Sequence, residues 1–192
     1  MKQDYNKKMH EIIDSLNGEK PTLLLHSCCA PCSSSVLERL MPYFEVTVLY
    51  YNPNIMPFSE FEKRKNEELK YLSKIGVKYL DIDYLHDEYL TVVKGKEFLP
   101  EKSAKCYLCY KLRIEKTAQI AKDKNFDYFC TTLTVSPHKI SDWVNEIMKE
   151  MSEKHKVKCL FSDFKKENGF LRSLQISKVE DFYRQNYCGC KF

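Results

Sequence analysis

A chain of 192 residues, 43% hydrophobic and 13% aromatic, carries enough apolar material for one packed core, and 5 Gly with 7 Pro exclude a collagen-like or low-complexity chain. With 30% charged residues and a formal charge of +4, neither disorder nor nucleic-acid binding follows from composition alone. No apolar run approaches the roughly 18 residues of a membrane span, and the start MKQDYNKKMHEIIDSLNGEK lacks the apolar segment of a signal peptide, so a cytoplasmic protein is expected.

Tyr5, Met9, Ile12, Ile13 and Leu16 recur at helical spacing, and Asn17-Gly18 with Pro21 ends that helix. Thr22 to Ser27 (TLLLHS) is a short apolar strand that stops at Cys28-Cys29, after which Pro31 and three serines open a helix through Val36, Leu37 and Leu40. Glu45 to Asn52 (EVTVLYYN) reads as a strand, followed by a charged helix over about 59–74 and a strand over Val77 to Tyr84. A helix from Cys106 or Tyr107 to Lys122 has Leu108, Leu112, Ile114, Ala118 and Ala121 at its apolar positions. A strand at Tyr128 to Leu133, a helix over about 137–154, a last strand at Lys158 to Asp163 and short helical pieces over 168–192 complete the single domain, 1–192. Such alternation predicts an α/β fold in which helices cover both faces of a mostly parallel sheet. Ligands then lie beyond the carboxyl ends of the strands, where the Cys28-Cys29 turn falls.

Nine cysteines in a chain expected in a reducing compartment point to metal or redox chemistry rather than a disulfide scaffold. Seven fall in three groups, Cys28/Cys29/Cys32, Cys106/Cys109 and Cys188/Cys190, whereas Cys130 and Cys159 stand alone as buried structural thiols would. The first group opens a helix, where unpaired amides and the dipole favour thiolate. Its adjacent cysteines point apart, an arrangement suited to two corners of a multi-iron cluster; a single tetrahedral ion more often takes a C-x-x-C knuckle. The i to i+3 spacing of Cys106 and Cys109 presents both sulfurs to one side of a helix. A bond between cysteines separated by one residue closes only a small ring and is easily reduced, and Gly189 relieves the backbone there.

From Lys94 to Lys124 nine basic residues face four acidic ones, an excess that is either a solvated helix face or a phosphate-binding surface. His26 and His138 are candidate ligands, although lone histidines are more often hydrogen-bonded core or rim residues. Asp81, Asp83 and Asp163 are candidate acids by position near strand ends. Tyr50, Tyr51, Tyr183 and Tyr187 are candidates to stack a nucleobase, with core packing the commoner role. There is no glycine-rich phosphate loop and no H-E-x-x-H.

The segments LLLHSCCAPC, YYNPNIMPFSEFEKR, CYLCYKLRIEKTA, FCTTLTVSP, LQISK and YRQNYCGC, in this order between Leu23 and Cys190, together resemble the QueH-type epoxyqueuosine reductases. Their combination is far more specific than any single C-x-x-C. The resemblance implies an oxidoreductase for the last step of tRNA queuosine biosynthesis, which reduces the epoxide of epoxyqueuosine at the wobble position of an anticodon. It implies a [4Fe-4S] cluster held by Cys28, Cys29, Cys106 and Cys109, a redox-active disulfide between catalytic Cys188 and Cys190, tRNA as partner and an electron donor that the sequence does not identify. Some members carry Asp where this chain has Cys32, and an adjacent mononuclear iron is associated with that vicinity, which makes Cys32 a further candidate metal ligand. In fold the family is similar to nucleotide-binding HUP-type proteins, so the expected architecture is a three-layer α/β/α, HUP/Rossmann-like domain. The basic segment around Cys106 is expected to contact phosphates flanking an extruded wobble base.

Two other readings compete. A thioredoxin-like thiol-disulfide oxidoreductase would use Cys29 and Cys32 and leave Cys28, Cys106 and Cys109 idle. A zinc-stabilised RNA-binding module would place Cys29, Cys32, Cys106 and Cys109 around one ion, across a gap unlike the usual compact knuckles.

Overall fold

The computed structural model describes residues 3–185 and 187–190. In chain order these form α1 (Tyr5–Ser15), β1 (Thr22–Ser27), α2 (Ala30–Leu40), β2 (Glu45–Tyr50), α3 (Phe58–Lys74), β3 (Lys78–Asp81) and α4 (His86–Val93). There follow α5 (Ala104–Asp123), β4 (Tyr128–Thr131), a 3-10 turn (Thr132–Val135), α6 (Ser141–His155), β5 (Lys158–Cys159) and α7 (Gly169–Val179).

The five strands form one sheet in the order β3-β2-β1-β4-β5, every neighbouring pair parallel. β1 is central, which explains its uninterrupted apolar run: a strand covered on both faces has no polar side to show. Alternate residues feed two cores. Leu23, Leu25, Val48 and Cys130 pack with Met9 of α1, Val36, Leu37 and Leu40 of α2 and Leu72 of α3. Leu24, Leu49 and Phe129 pack with Ile114, Ala118 and Ala121 of α5 and Val144, Ile147, Met148 and Met151 of α6. The expected three-layer α/β architecture is therefore the observed one. Strand order reverses direction between β1 and β4, and the crevice past their carboxyl ends is the place such sheets reserve for ligands.

Several boundaries differ from the sequence reading. The strand expected over 77–84 ends at Asp81, because it is an edge strand with Lys78, Tyr79 and Asp81 exposed. Helix α4 was hidden in a segment rich in β-branched and aromatic residues, and it forms because Tyr89 and Val93, four apart, bury one face. The last strand pairs over two residues only, and α6 begins at Ser141, after the turn through Ser136 and Lys139. The C-terminal segment contains one eleven-residue helix, α7, against α2. Gly169 opens it because a Cβ there would lie 1.9 Å from the Phe164 carbonyl oxygen. Among the described residues no helix is long and apolar enough to cross a membrane.

Candidate active site

At the end of β1 the chain turns through Cys28 into α2, with Cys29 as the N-cap and Pro31 in the first turn. The Cys32 and Ser33 amides both donate to the Cys29 carbonyl at 3.0 Å, which winds the three sulfurs together. The Sγ atoms of Cys28, Cys29 and Cys32 lie within 4.8 Å of one another, and those of Cys28 and Cys29 are 3.9 Å apart. Adjacent cysteines would point apart on an extended strand; the change of backbone direction at the N-cap brings these to one side. Thr132, just past β4, accepts from the Cys28 amide at 3.3 Å, and its Oγ1 is 3.5 Å from Cys28 Sγ. Hydrogen bonds from the Cys29 and Cys32 thiols, helped by Arg113 and Thr132, hold Cys28 well below the usual thiol range. The same contacts and burial push Cys29 and Cys32 upward.

Arg113 of α5 supplies the fixed positive charge. It is buried, with Nη2 donating to Asn52 Oδ1 at 2.6 Å, Nε 3.3 Å from His26 Nε2 and Nη1 4.0 Å from Cys109 Sγ. Its charge acts on Cys109, Cys28 and Cys188 together, and all three hold its own pKa up against burial. Cys109 lies one turn before it on α5, where burial raises the thiol and Arg113 opposes the rise. Cys106, in the first turn of α5, is buried in the apolar cluster that includes Tyr51, Tyr110 and Leu133.

The Cys188 and Cys190 sulfurs are 3.4 Å apart as free thiols. Cys188 accepts from the Cys190 thiol and lies 3.6 Å from Lys139 Nζ, and these two neighbours keep it well below the usual thiol range. Cys190 is buried beside Tyr89, Val93 and Cys109, and its thiol is pushed upward. Burial opposes the charge on Lys139, yet Cys188 and other acidic neighbours hold its pKa above normal. Gly189 is required between the pair: a Cβ would lie 2.9 Å from Ile55 Cγ1, and the Gly189 carbonyl accepts from the Met56 amide at 2.9 Å.

Cys28, Cys29, Cys32 and Cys188 line one chamber of about 320 Å³ past the ends of β1 and β4. Arg64, Arg113, Lys139 and Arg184 give it positive charge, Glu101 is its acidic lining residue, and Phe170, Gln185 and Tyr187 form the wall on the α7 side. Beneath the cysteine turn, Glu68 of α3 is fully buried and accepts from Ser33 Oγ at 3.0 Å; burial raises its carboxyl to about 8.

Other sequence candidates fall on either side of this chamber. His138 and Tyr187 line it. His26 is a structural residue: its ring bridges Thr131 Oγ1 and the Tyr51 carbonyl, and burial with the Arg113 charge lowers its pKa to about 3. Tyr50 and Tyr51 are core, and Tyr183 lies under Lys63, whose Nζ is 3.3 Å from its ring centroid. Asp81 pairs with Lys65, and Asp163 accepts from Ser141 and Lys165. Cys130 and Cys159 are core residues. The basic segment is not one phosphate-facing surface: Lys105 and Arg113 are buried, Lys111 pairs with Glu150 and Lys116 with Glu88. Sequence reasoning passed over Arg64, Lys139 and Glu68 and counted Arg113 only as a basic residue. For Arg113 a signal existed, since its position four residues after Cys109 puts both on one helix face.

The chain matches the family model described as "Epoxyqueuosine reductase QueH" over residues 23–192. It is 38% identical to the epoxyqueuosine reductase QueH of Streptococcus pyogenes serotype M1, across 100% of this chain and 78% of that protein. Identity to the QueH of Staphylococcus epidermidis is 36%, across 100% of this chain and 84% of the relative, and to that of Thermotoga maritima 36%, across 89% of each. Among solved structures, the U34-tRNA thiolase NcsA from Methanococcus maripaludis with its [4Fe-4S] cluster aligns with a TM-score of 0.60 at 12% identity, covering 98% of this chain and 67% of that one. That likeness is one of fold.

Proposed function

The chain belongs to the QueH family of epoxyqueuosine reductases, and from that premise we propose that Cys28, Cys29, Cys106 and Cys109 hold a [4Fe-4S] cluster while Cys188 and Cys190 act as a dithiol. The reaction is reduction of the epoxide of epoxyqueuosine, at the wobble position of a tRNA, to the alkene of queuosine. The observation that carries the cluster proposal is the gathering of the Cys28, Cys29 and Cys32 sulfurs within 4.8 Å of one another, with buried Arg113 reaching to 4.0 Å from Cys109 Sγ. The chemistry of the donors suits such a group, since thiolates near a helix N-terminus are ready metal ligands; the sulfurs within 4.8 Å of one another are those of Cys28, Cys29 and Cys32, and Cys106 enters the set through the family alone. Such a cluster supplies electrons one at a time. Cys32 is the sulfur left over from this set and the candidate ligand for an additional, mononuclear iron.

Stoichiometry assigns the dithiol its part. Converting an epoxide to an alkene breaks both C–O bonds, consumes two electrons and two protons, and releases the oxygen as water. Oxidation of Cys188 and Cys190 to a disulfide releases two electrons and two protons, so the pair balances one turnover and an external two-electron reductant must then restore it. The cations at Arg64, Arg113 and Lys139 face the chamber in which the departing oxygen gathers negative charge, and such fixed charges stabilise it without reorganisation. The wobble base, unpaired in its loop, enters a chamber walled by Phe170 and Tyr187. A thioredoxin-like exchange at Cys29 and Cys32 would leave Cys28, Cys106 and Cys109 without a part.

The test is anaerobic reconstitution with iron and sulfide, counting of both, and assay on epoxyqueuosine-containing tRNA with mass detection of the nucleoside. Four irons per chain, or five with the additional one, and formation of queuosine are expected. Stoichiometric zinc without iron or sulfide, or tRNA left unreduced, would overturn the reading.

A further inference from the structure

Past the end of β2 the loop 52–56 is fixed by its neighbours. Asn52 donates from Nδ2 to the Ser27 carbonyl at 2.9 Å and accepts from Arg113 at 2.6 Å, and the Ile55 amide donates to the Asn52 carbonyl at 3.2 Å. His86 Nδ1 lies 2.6 Å from the Pro53 carbonyl oxygen, and the Tyr84 hydroxyl donates to the Ile55 carbonyl at 2.6 Å. The side chain of Asn54 stands apart from this set. It is 3% exposed and lines the cysteine chamber, yet its Oδ1 is buried without a partner. Gln185, on the wall toward α7, repeats the arrangement: its Nε2 donates to Cys29 Sγ at 3.8 Å, and its Oε1 is buried without a partner. Other polar groups of the lining are committed, Arg64 to Glu60 and Tyr187, Arg113 to Asn52, Arg184 to Ser177 and Ser173 to the Phe170 carbonyl.

A buried amide oxygen with no partner costs free energy, and in a ligand chamber that cost is recovered when a bound molecule donates to it. The reacting ring of epoxyqueuosine carries neighbouring hydroxyls beside its epoxide and hangs from the base by an aminomethyl arm. With the epoxide turned to the cysteines, an amide that touches Cys29 meets the ring, while the base stands an arm's length away. We propose that Asn54 and Gln185 form the subsite for this hydroxylated ring, each amide oxygen accepting from one hydroxyl, and that they select a wobble base carrying the ring over one that lacks it. The inference rests on the reductase reading above and names the part of the substrate that these two residues read. Because the loop carrying Asn54 is pinned on both sides, its amide is in place before the ring arrives and little order has to be created on binding. Ile55, Leu133 and Val135 supply the apolar lining for the carbon face of the ring.

The experiment uses the full chain, reconstituted anaerobically, and measures binding of fluorescently labelled anticodon stem-loops that differ only in the wobble base. One carries epoxyqueuosine, one queuosine, which keeps the hydroxyls without the epoxide, and one 7-aminomethyl-7-deazaguanine, which lacks the ring. The unaltered protein should bind the first two within a few-fold of each other and about 10- to 100-fold more tightly than the third. Asn54→Leu, close in shape, and Gln185→Leu should each weaken binding of both ring-bearing stem-loops by about tenfold and leave the third unchanged. The urea midpoint of Asn54→Leu should be no lower than that of the unaltered protein, since the change removes an unpaired buried amide. The proposal is overturned if the unaltered protein shows no preference for the ring, if either variant keeps that preference in full, if the variants weaken all three stem-loops equally, or if the loss is confined to epoxyqueuosine, the mark of contacts to the epoxide oxygen. Should the protein prefer the ring through Asn54 and Gln185 yet leave the epoxide unreduced, the reductase reading fails and the subsite stands.

Discussion

Cys28 follows directly on β1 and Cys130 lies in the neighbouring β4, yet their thiols are shifted in opposite directions. Cys130 lies within β4 opposite Leu25 of β1, and its Sγ donates to the Leu160 carbonyl at 3.2 Å. Burial pushes it up to about 12, and the same cause takes Cys159 to about 11. Cys28 is part-buried at the chamber, and there the Cys29 and Cys32 thiols donate to it and the Arg113 charge helps them, so it is held low. Cys188 repeats that pattern with Cys190 as donor and Lys139 as cation. Burial alone makes a thiol inert; burial beside a donor and a cation makes a thiolate ready for metal or electron chemistry.

The largest test of this contrast removes the sulfurs themselves. Cys28→Ser, Cys106→Ala or Cys109→Ala should abolish iron-sulfur absorbance and epoxide reduction together, whereas Cys188→Ser or Cys190→Ser should keep the absorbance and block multiple turnover. Full absorbance in a Cys106 or Cys109 variant would remove that residue from the ligand set, and undiminished multiple turnover without Cys188 would remove the dithiol.

Glu68 tests the other side of the comparison, burial with no cation to offset it. Its folded pKa of about 8 lies above the ordinary carboxyl value of 4.5, so the unfolded chain releases its proton first as pH rises. Its contribution is complete below about pH 4.5 and is lost as pH climbs through about 8. Glu68→Gln, which can still accept from Ser33, should therefore raise stability on the order of several kcal/mol at pH 8 and much less at pH 5. Equal urea midpoints for the two proteins at pH 8 would show that the carboxyl is not desolvated.

A smaller effect is expected at Lys139. Without its charge the Cys188 thiolate is less stable, so Lys139→Met should slow iodoacetamide labelling of Cys188 at pH 7 by about tenfold, with the rate recovering toward pH 9 and Lys139→Arg labelling as the unaltered protein does. Identical pH profiles with and without the lysine would mean that Cys190 alone sets Cys188. The smallest effect belongs to Cys130→Ala: it should cost about 1 kcal/mol in denaturant unfolding and leave iron content and turnover unchanged. Loss of iron there would undo the division into working and structural thiols.

Local chemistry was legible along the chain. The both-faces-buried run of β1, the alternation of strands with helices, the proline-opened turn holding Cys28, Cys29 and Cys32, and the spacing of Cys188 and Cys190 all follow from residues within a few positions of one another, where φ/ψ preference and side-chain period decide the outcome. The five-stranded sheet and its ligand crevice followed from them. Only the tertiary structure decided that Cys28 and Cys188 are the thiols held low, because proton affinity depends on charges and donors a few ångströms away in space and remote in sequence. Thr132 reaches Cys28 across 104 positions, Lys139 reaches Cys188 across 49, and Arg113 is brought to Asn52 across 61. The same holds for the retreat of the last strand to two residues, which turns on what packs beside the segment and which no local pattern encodes.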